Sequence, residues 1–285
     1  MSLRKVPAAA LYVSEPAPQL FGNPPNEQKF FGLPIDGAST WTNSNWLKSR
    51  FHFSFAEYSN PRNASFGVLR VMNDDLVQAS RGFGAHPHRD MEICTYVVEG
   101  ELTHQDSLGT RETLGRGSVQ FMTAGRGVRH SEHNLSADRP LRFIQSWIVP
   151  RARGLAPNYG SVRGDADLAR ARRNKWVHLL SDADSASADT PVKVAQDVNL
   201  FVTELDAGAA LPLVVRDGRQ AYLLCVEGAA AFRTDGDSRT AELERHDAME
   251  ILGRSATPIE VAAGETGAHI LYFEMAAGGR GRSDL

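Results

Sequence analysis

A short element repeats in this 285-residue chain: Val98-Glu99-Gly100 recurs as Val226-Glu227-Gly228, 128 residues later. Each copy follows an apolar run, Ile93 to Val97 in one case and Tyr222 to Cys225 in the other. Each is followed by a polar turn with glycine, a second β-type run, another turn and an apolar strand (Val119-Gln120-Phe121-Met122; Ala248-Met249-Glu250-Ile251). Three matching residues are a weak signal. The matching order of elements around them predicts a duplicated β-barrel, because a repeated pattern of this length specifies a repeated structural unit.

Local patterning agrees. Phe51-His52-Phe53-Ser54-Phe55 alternates with period two, the mark of a strand with one buried face. Short β-type runs follow at Phe66 to Val71, Met91 to Val98, Val119 to Met122 and Leu141 to Val149, separated by Gly, Asn and Asp clusters. No convincing amphipathic helix interrupts them. The fold class is therefore all-β, sandwich or barrel. A polar stretch from Gly154 to Arg173 breaks the series, with one short helix expected over Asp165 to Arg173. Strand signals resume at Lys175. Six of the 14 prolines fall in the first 34 residues, which predicts an extended segment lying over a domain or a partner subunit. The expected layout is a proline-rich extension over 1–45, a first barrel over 46–153, a linker over 154–174 and a second barrel over 175–285.

Composition excludes several classes. With 42% hydrophobic and 23% charged residues the chain is neither disordered nor a charged tail. The net charge of −3 lacks the basic excess that phosphate contacts require, so no direct nucleic-acid contact is expected. No apolar segment is long enough to span a bilayer, and none reads as a signal peptide, so no membrane association is expected. Cys94 and Cys225 sit in apolar runs and read as buried free thiols of a reducing compartment, which places the chain in the cytoplasm.

The chemistry is concentrated in two dyads. In His86-Pro87-His88 a strand sends both imidazoles to the same face. His130-Ser131-Glu132 repeats that spacing 42 residues after His88, beside Gly125 and Gly127. Two strands of one barrel, each presenting two ligand-type side chains inward, would give a site of three histidines and a carboxylate. Such a set suits Fe(II), Mn, Ni, Cu or Zn without choosing among them. Glu92 competes with Glu132 for the fourth position, since it shares the parity of His88. His133 has outward parity. His104 reads as a supporting or surface residue, and Arg89 and Asp90 as a local ion pair or turn contacts. Cys94, Tyr96 and Val98 share the parity of His86; Cys94 and Tyr96 are expected to line the pocket if no bulge intervenes, and Val98 to pack in the core.

The spacing His86-x-His88-x3-Glu92, then Gly125-x-Gly127-x2-His130-x3-Asn134, resembles the paired motifs of the cupin superfamily. The segments Phe66 to Asp75, Gly82 to Ile93 and Thr123 to Glu132 resemble the pirins, nearest to their bacterial quercetin-dioxygenase-like branch. The specific resemblance runs from about Trp46 to Pro150. It implies two tandem cupin domains. It also implies one metal per chain, a mononuclear non-haem iron, held by His86, His88, His130 and Glu132, which resolves the choice between the two glutamates. By the same resemblance the chain would be a dioxygenase opening flavonols such as quercetin with O2 and loss of carbon monoxide. Glu132 would be the candidate base there. The alternative that the resemblance carries is a non-catalytic regulator, responsive to the redox state of iron, that binds protein partners. Adding 128 to the positions of the ligands gives Val214, Arg216, Pro258 and Glu260, so the second barrel is expected to lack a metal.

Overall fold

The computed structural model describes residues 2–24, 34–35, 39–40, 46–234, 240–253 and 258–278. The chain divides into two compact units: residues 12–64 with 70–164, and residues 1–11 with 65–69 and 165–285. Both are built of β-strands, as the alternating runs require.

Besides a two-stranded ribbon of Pro34–Ile35 with Ser39–Thr40, the first unit holds two larger antiparallel sheets. In one, the strands run in the order Arg111–Leu114, Leu102–Asp106, Val128–Asn134, Arg81–His88. In the other the order is Asn158–Val162, Val119–Thr123, Glu92–Glu99, Leu141–Ile148, Leu69–Val77, Leu47–Phe51, Tyr12–Ser14. Side chains of both sheets meet in a core around Trp46, Val97, Leu102, Leu114 and Phe143. The buried guanidinium of Arg142 grips Asp74 with two bonds of 2.8 Å, which pairs two charges that could not be buried singly.

The second unit is one nine-stranded sheet dominated by two long strands, Arg219–Thr234 and Ile259–Ala276. Their pairing shifts register at Cys225/Glu227 and at Gly228/Ala230, so each strand bends instead of running straight. Its core gathers Leu213, Val215, Leu223, Phe232, Met249, Ile251 and Ile270.

The repeated glycine has the same job in both units. Gly100 and Gly228 take φ of 76° and 70°, where side-chain-bearing residues are strained. A Cβ at Gly100 would lie 2.4 Å from the Pro140 carbonyl oxygen, and one at Gly228 would lie 2.1 Å from that of Gly267. The Val-Glu-Gly repeat marks a place where a neighbouring backbone comes too close for any side chain.

The boundaries differ from the expected layout. Ser2–Val6 pairs with Ala248–Leu252 in the second unit, while Tyr12–Ser14 pairs with Leu47–Phe51 in the first. The opening residues are thus shared between units, and most of 25–45 lies outside the described residues. The expected linker is also divided. Asn158–Val162 is a strand paired with Val119–Thr123. Ala166–Arg172 is the short helix, capped by Asp165, whose carboxylate accepts from the Leu168 amide at 2.8 Å. The strand expected over Phe51–Phe55 ends at Phe51, where the chain leaves the sheet for a turn closed by the Phe55–Tyr58 bridge. The run Phe66 to Val71 begins as a turn at Gly67 (φ 55°) and becomes strand only from Leu69.

Candidate metal centre

The strand Arg81–His88 is the edge of the four-stranded sheet, which is why it tolerates Pro87 between its two histidines. Its neighbour Val128–Asn134 pairs His130 opposite His86 and Val128 opposite His88. A bulge then intervenes, so that Glu132 faces Phe83. Gly125 and Gly127 feed the second strand with φ of 44° and 138°. A Cβ on Gly125 would collide with the Leu155 carbonyl oxygen at 2.1 Å, so the turn that aims His130 needs glycine there.

The three imidazoles converge, with ring centroids 4.6 to 4.8 Å apart. Their ligand-type nitrogens lie within 4.8 Å of one another. His86 Nδ1 donates to the Gly84 carbonyl at 2.7 Å, so the nitrogen of this ring free to act as a ligand is Nε2. That Nε2 stands 3.1 Å from His130 Nε2. His88 Nε2 and His130 Nδ1 are buried with no hydrogen-bond partner. Burial, with neighbouring imidazoles adding to it, pushes both His88 and His130 down to about 3, so both rings are neutral at pH 7. Neutral rings crowded together with buried, unpartnered nitrogens fit a cation and leave polar groups unsatisfied without one. Three imidazoles with a carboxylate suit a borderline transition metal, not Mg or Ca.

Glu132 is buried, and each of its oxygens accepts an amide: Oε1 from Gln120 at 3.0 Å and Oε2 from Gln145 at 2.8 Å. Gln120 in turn accepts from the Tyr159 hydroxyl at 3.2 Å, and the same hydroxyl bonds Glu112 at 3.1 Å. Glu92 lies elsewhere. Its carboxylate is fully buried in the other sheet and accepts from the Thr123 hydroxyl at 2.7 Å. The reason is Asp90, at φ 50°, where the chain turns from one sheet into the other and strand parity stops counting. Asp90 makes turn contacts, donating its amide to Gly125 and accepting the Gly154 amide at 2.7 Å. The same turn corrects the expectation for Cys94 and Tyr96, which are buried in the core and do not line the cavity described below, while Val98 packs in the core as expected.

His104 is buried, which excludes the surface reading. Its Nε2 meets Asp106 Oδ2 at 2.9 Å, its ring stacks on Tyr159, and it forms a second close group with His130 and Glu132. The i, i+2 pattern of His104-Gln105-Asp106 was a signal for this. Gln120 and Gln145, single amides in apolar runs, were another. His133 is half-buried over Gly82 and stands outside both groups. In the second unit His178 bonds Asn199 at 2.9 Å and His269 bonds Glu227 at 2.8 Å.

The cluster opens into a cavity of about 330 Å3, within the range of small-molecule sites. His86, His88 and Glu132 stand on its wall with Leu47, Phe51, Phe55, Phe83 and Trp147. Asp75 also lines it. Burial drives its carboxyl up to about 8; the Ser49 hydroxyl opposes this, and Asp74 and Glu132 add to it.

The pirin family model matches residues 36–148, and the quercetinase C-terminal cupin domain model matches 179–275. A pirin-like protein of Caulobacter vibrioides is 40% identical over 186 residues, 64% of this chain and 76% of that protein. The quercetin 2,3-dioxygenase of Escherichia coli K12 is 45% identical over 159 residues, 56% of this chain and 65% of that protein. The crystal structure of the bacterial pirin YhhW of Escherichia coli in complex with nickel(II) is 30% identical, with a TM-score of 0.73, covering 96% of this chain and 99% of that one.

Proposed function

We propose that this chain, which belongs to the pirin family, is a metal-dependent dioxygenase that opens flavonols such as quercetin with O2. One divalent metal, Fe(II) in this reading, would be held by His86, His88, His130 and Glu132. The observation that carries it is the convergence of three imidazoles, two of them held neutral by burial, with the carboxylate of Glu132 beside His130 and on the wall of the same apolar cavity as His86 and His88. The name of the Escherichia coli relative supports the substrate, and the nickel in the solved pirin supports a divalent ion.

When bound, the metal would acidify a coordinated hydroxyl and offer open positions for a chelating substrate and O2. The chain's own residues supply the rest. Phe51, Phe55 and Trp147 give an apolar surface for the flavonol rings and keep water from them. One oxygen of Glu132 would hold the metal. The other retains a lone pair beyond its glutamine amide and accepts the proton of the flavonol 3-hydroxyl. Gln120 and Gln145 hold the carboxylate in that orientation. His104, bonded to Asp106, packs its ring against that of His130. The two buried thiols, Cys94 and Cys225, support a reducing compartment such as the cytoplasm.

The test is an aerobic assay of the iron-loaded protein with quercetin, following loss of flavonol absorbance and release of carbon monoxide. Turnover is expected, and Glu132→Gln should reduce it by about 100-fold or more, the scale of a lost base. Absence of turnover with any flavonol would refute the proposal.

A further inference from the structure

The first 24 residues contribute something the metal cluster does not explain. Ser14, Pro16, Leu20 and Phe21 line the same cavity as His86, His88 and Glu132. Two of these are costly to leave in water: Leu20 is 75% exposed and Phe21 39%.

The segment is held at both ends. Tyr12–Ser14 pairs with Leu47–Phe51, and the Tyr12 ring stacks on Phe51 and Tyr58 at 5.9 and 4.9 Å. At the far end the Asn23 side chain clamps the Gly82 backbone, accepting its amide at 3.1 Å and donating to its carbonyl at 2.9 Å. Between the anchors, Pro18–Phe21 is one 3-10 turn, started by proline and stopped by Gly22 at φ 74°. Phe21 leans on Trp46 and Phe83, at 5.4 and 5.6 Å between ring centroids. A Cβ on Gly84 would come within 3.1 Å of the Phe21 carbonyl oxygen, so the strap lies directly against the strand that carries His86 and His88.

We infer that the strap Tyr12–Asn23 is a specificity wall, which selects chelating ligands carrying a flat apolar ring beyond their metal-binding oxygens. This rests on the reading of the cluster as a metal centre. A ligand whose oxygens reach His86, His88 and Glu132 has about 330 Å3 to occupy, and its remainder meets Leu20 and Phe21. A single-ring chelator would leave that wall untouched. Asn73 adds a polar point: its Oδ1 is buried without a hydrogen-bond partner and the residue lines the cavity, a ready acceptor for a ring hydroxyl.

The experiment titrates the metal-loaded full chain with two probes that share one chelating group. 3-Hydroxyflavone carries an appended ring, and 3-hydroxy-2-methyl-4-pyranone does not. Wild type should bind the flavone more tightly. Phe21→Ala and Leu20→Ser should each weaken flavone binding about tenfold, and change pyranone binding by less than about twofold, at unchanged metal content. Phe21→Leu, which keeps the packing on Trp46, should keep metal content and lose part of the preference. If both probes bind and neither Phe21→Ala nor Leu20→Ser changes their ratio, the strap has no selective role and the metal-centre reading stands. If wild type binds neither probe, both readings fall.

Discussion

Glu92 and Glu132 show what one residue's surroundings decide. Both are buried carboxylates near the histidines in sequence, and counting by twos from His88 favours Glu92. The structure gives Glu92 a partner in Thr123, while Glu132 shares a cavity with His86 and His88. Replacing Glu132 by Ala should therefore abolish stoichiometric metal binding, whereas Glu92→Ala should keep it at some expense in stability; elemental analysis of the two purified variants separates them. The ligand-type residues themselves were legible, because two i, i+2 dyads in strands point inward whatever the rest of the fold does. Asp75 was not. Its position on the cavity wall depends on which strands neighbour Leu69–Val77, and sequence spacing does not report that.

Strand parity held within each dyad and failed across the turn that follows. His86 with His88, and His130 with Glu132, keep their common face. The chain reverses at Asp90, and everything counted beyond it, from Glu92 to Val98, belongs to the other sheet. The strand Asn158–Val162 was read as part of a linker because it is short and polar. It is an edge strand, with one neighbour, and lacks the apolar alternation of a central one. It nevertheless carries Tyr159, which backs Gln120 behind Glu132. Residues that hold a ligand in place commonly matter for affinity. Gln145→Leu, which removes the amide on Glu132 Oε2, should weaken metal binding by about 10- to 100-fold while leaving the number of sites at one. Competition against a calibrated chelator measures this.

At the scale of the whole molecule, the duplication is visible in the Val-Glu-Gly repeat, and the glycine's collision distances explain why the repeat persists where the ligands do not. The buried titratable groups of the first unit also set how stability responds to pH. In the metal-free chain His88 and His130 titrate near 3, against 6.5 when exposed. The unfolded chain takes up protons that these rings refuse, so stability falls as pH drops below about 6.5. Asp75 acts in the opposite sense: held at about 8 against 3.8, its contribution is complete below 3.8 and is lost as pH rises through 8. Between 3.8 and 6.5 the two histidines outweigh the one carboxyl. Metal-free protein should therefore be most stable near about pH 6.5, and Asp75→Asn should flatten the decline on the alkaline side; urea unfolding across pH 4 to 9 tests both.

The most direct test of the central claim is an anomalous difference map from crystals of the iron-loaded protein, collected at the iron edge. The account predicts one peak per chain, within bonding distance of His86, His88, His130 and Glu132. A peak coordinated by His104 in place of His86 and His88, a second peak in the other barrel, or no peak in protein shown to carry iron would contradict it.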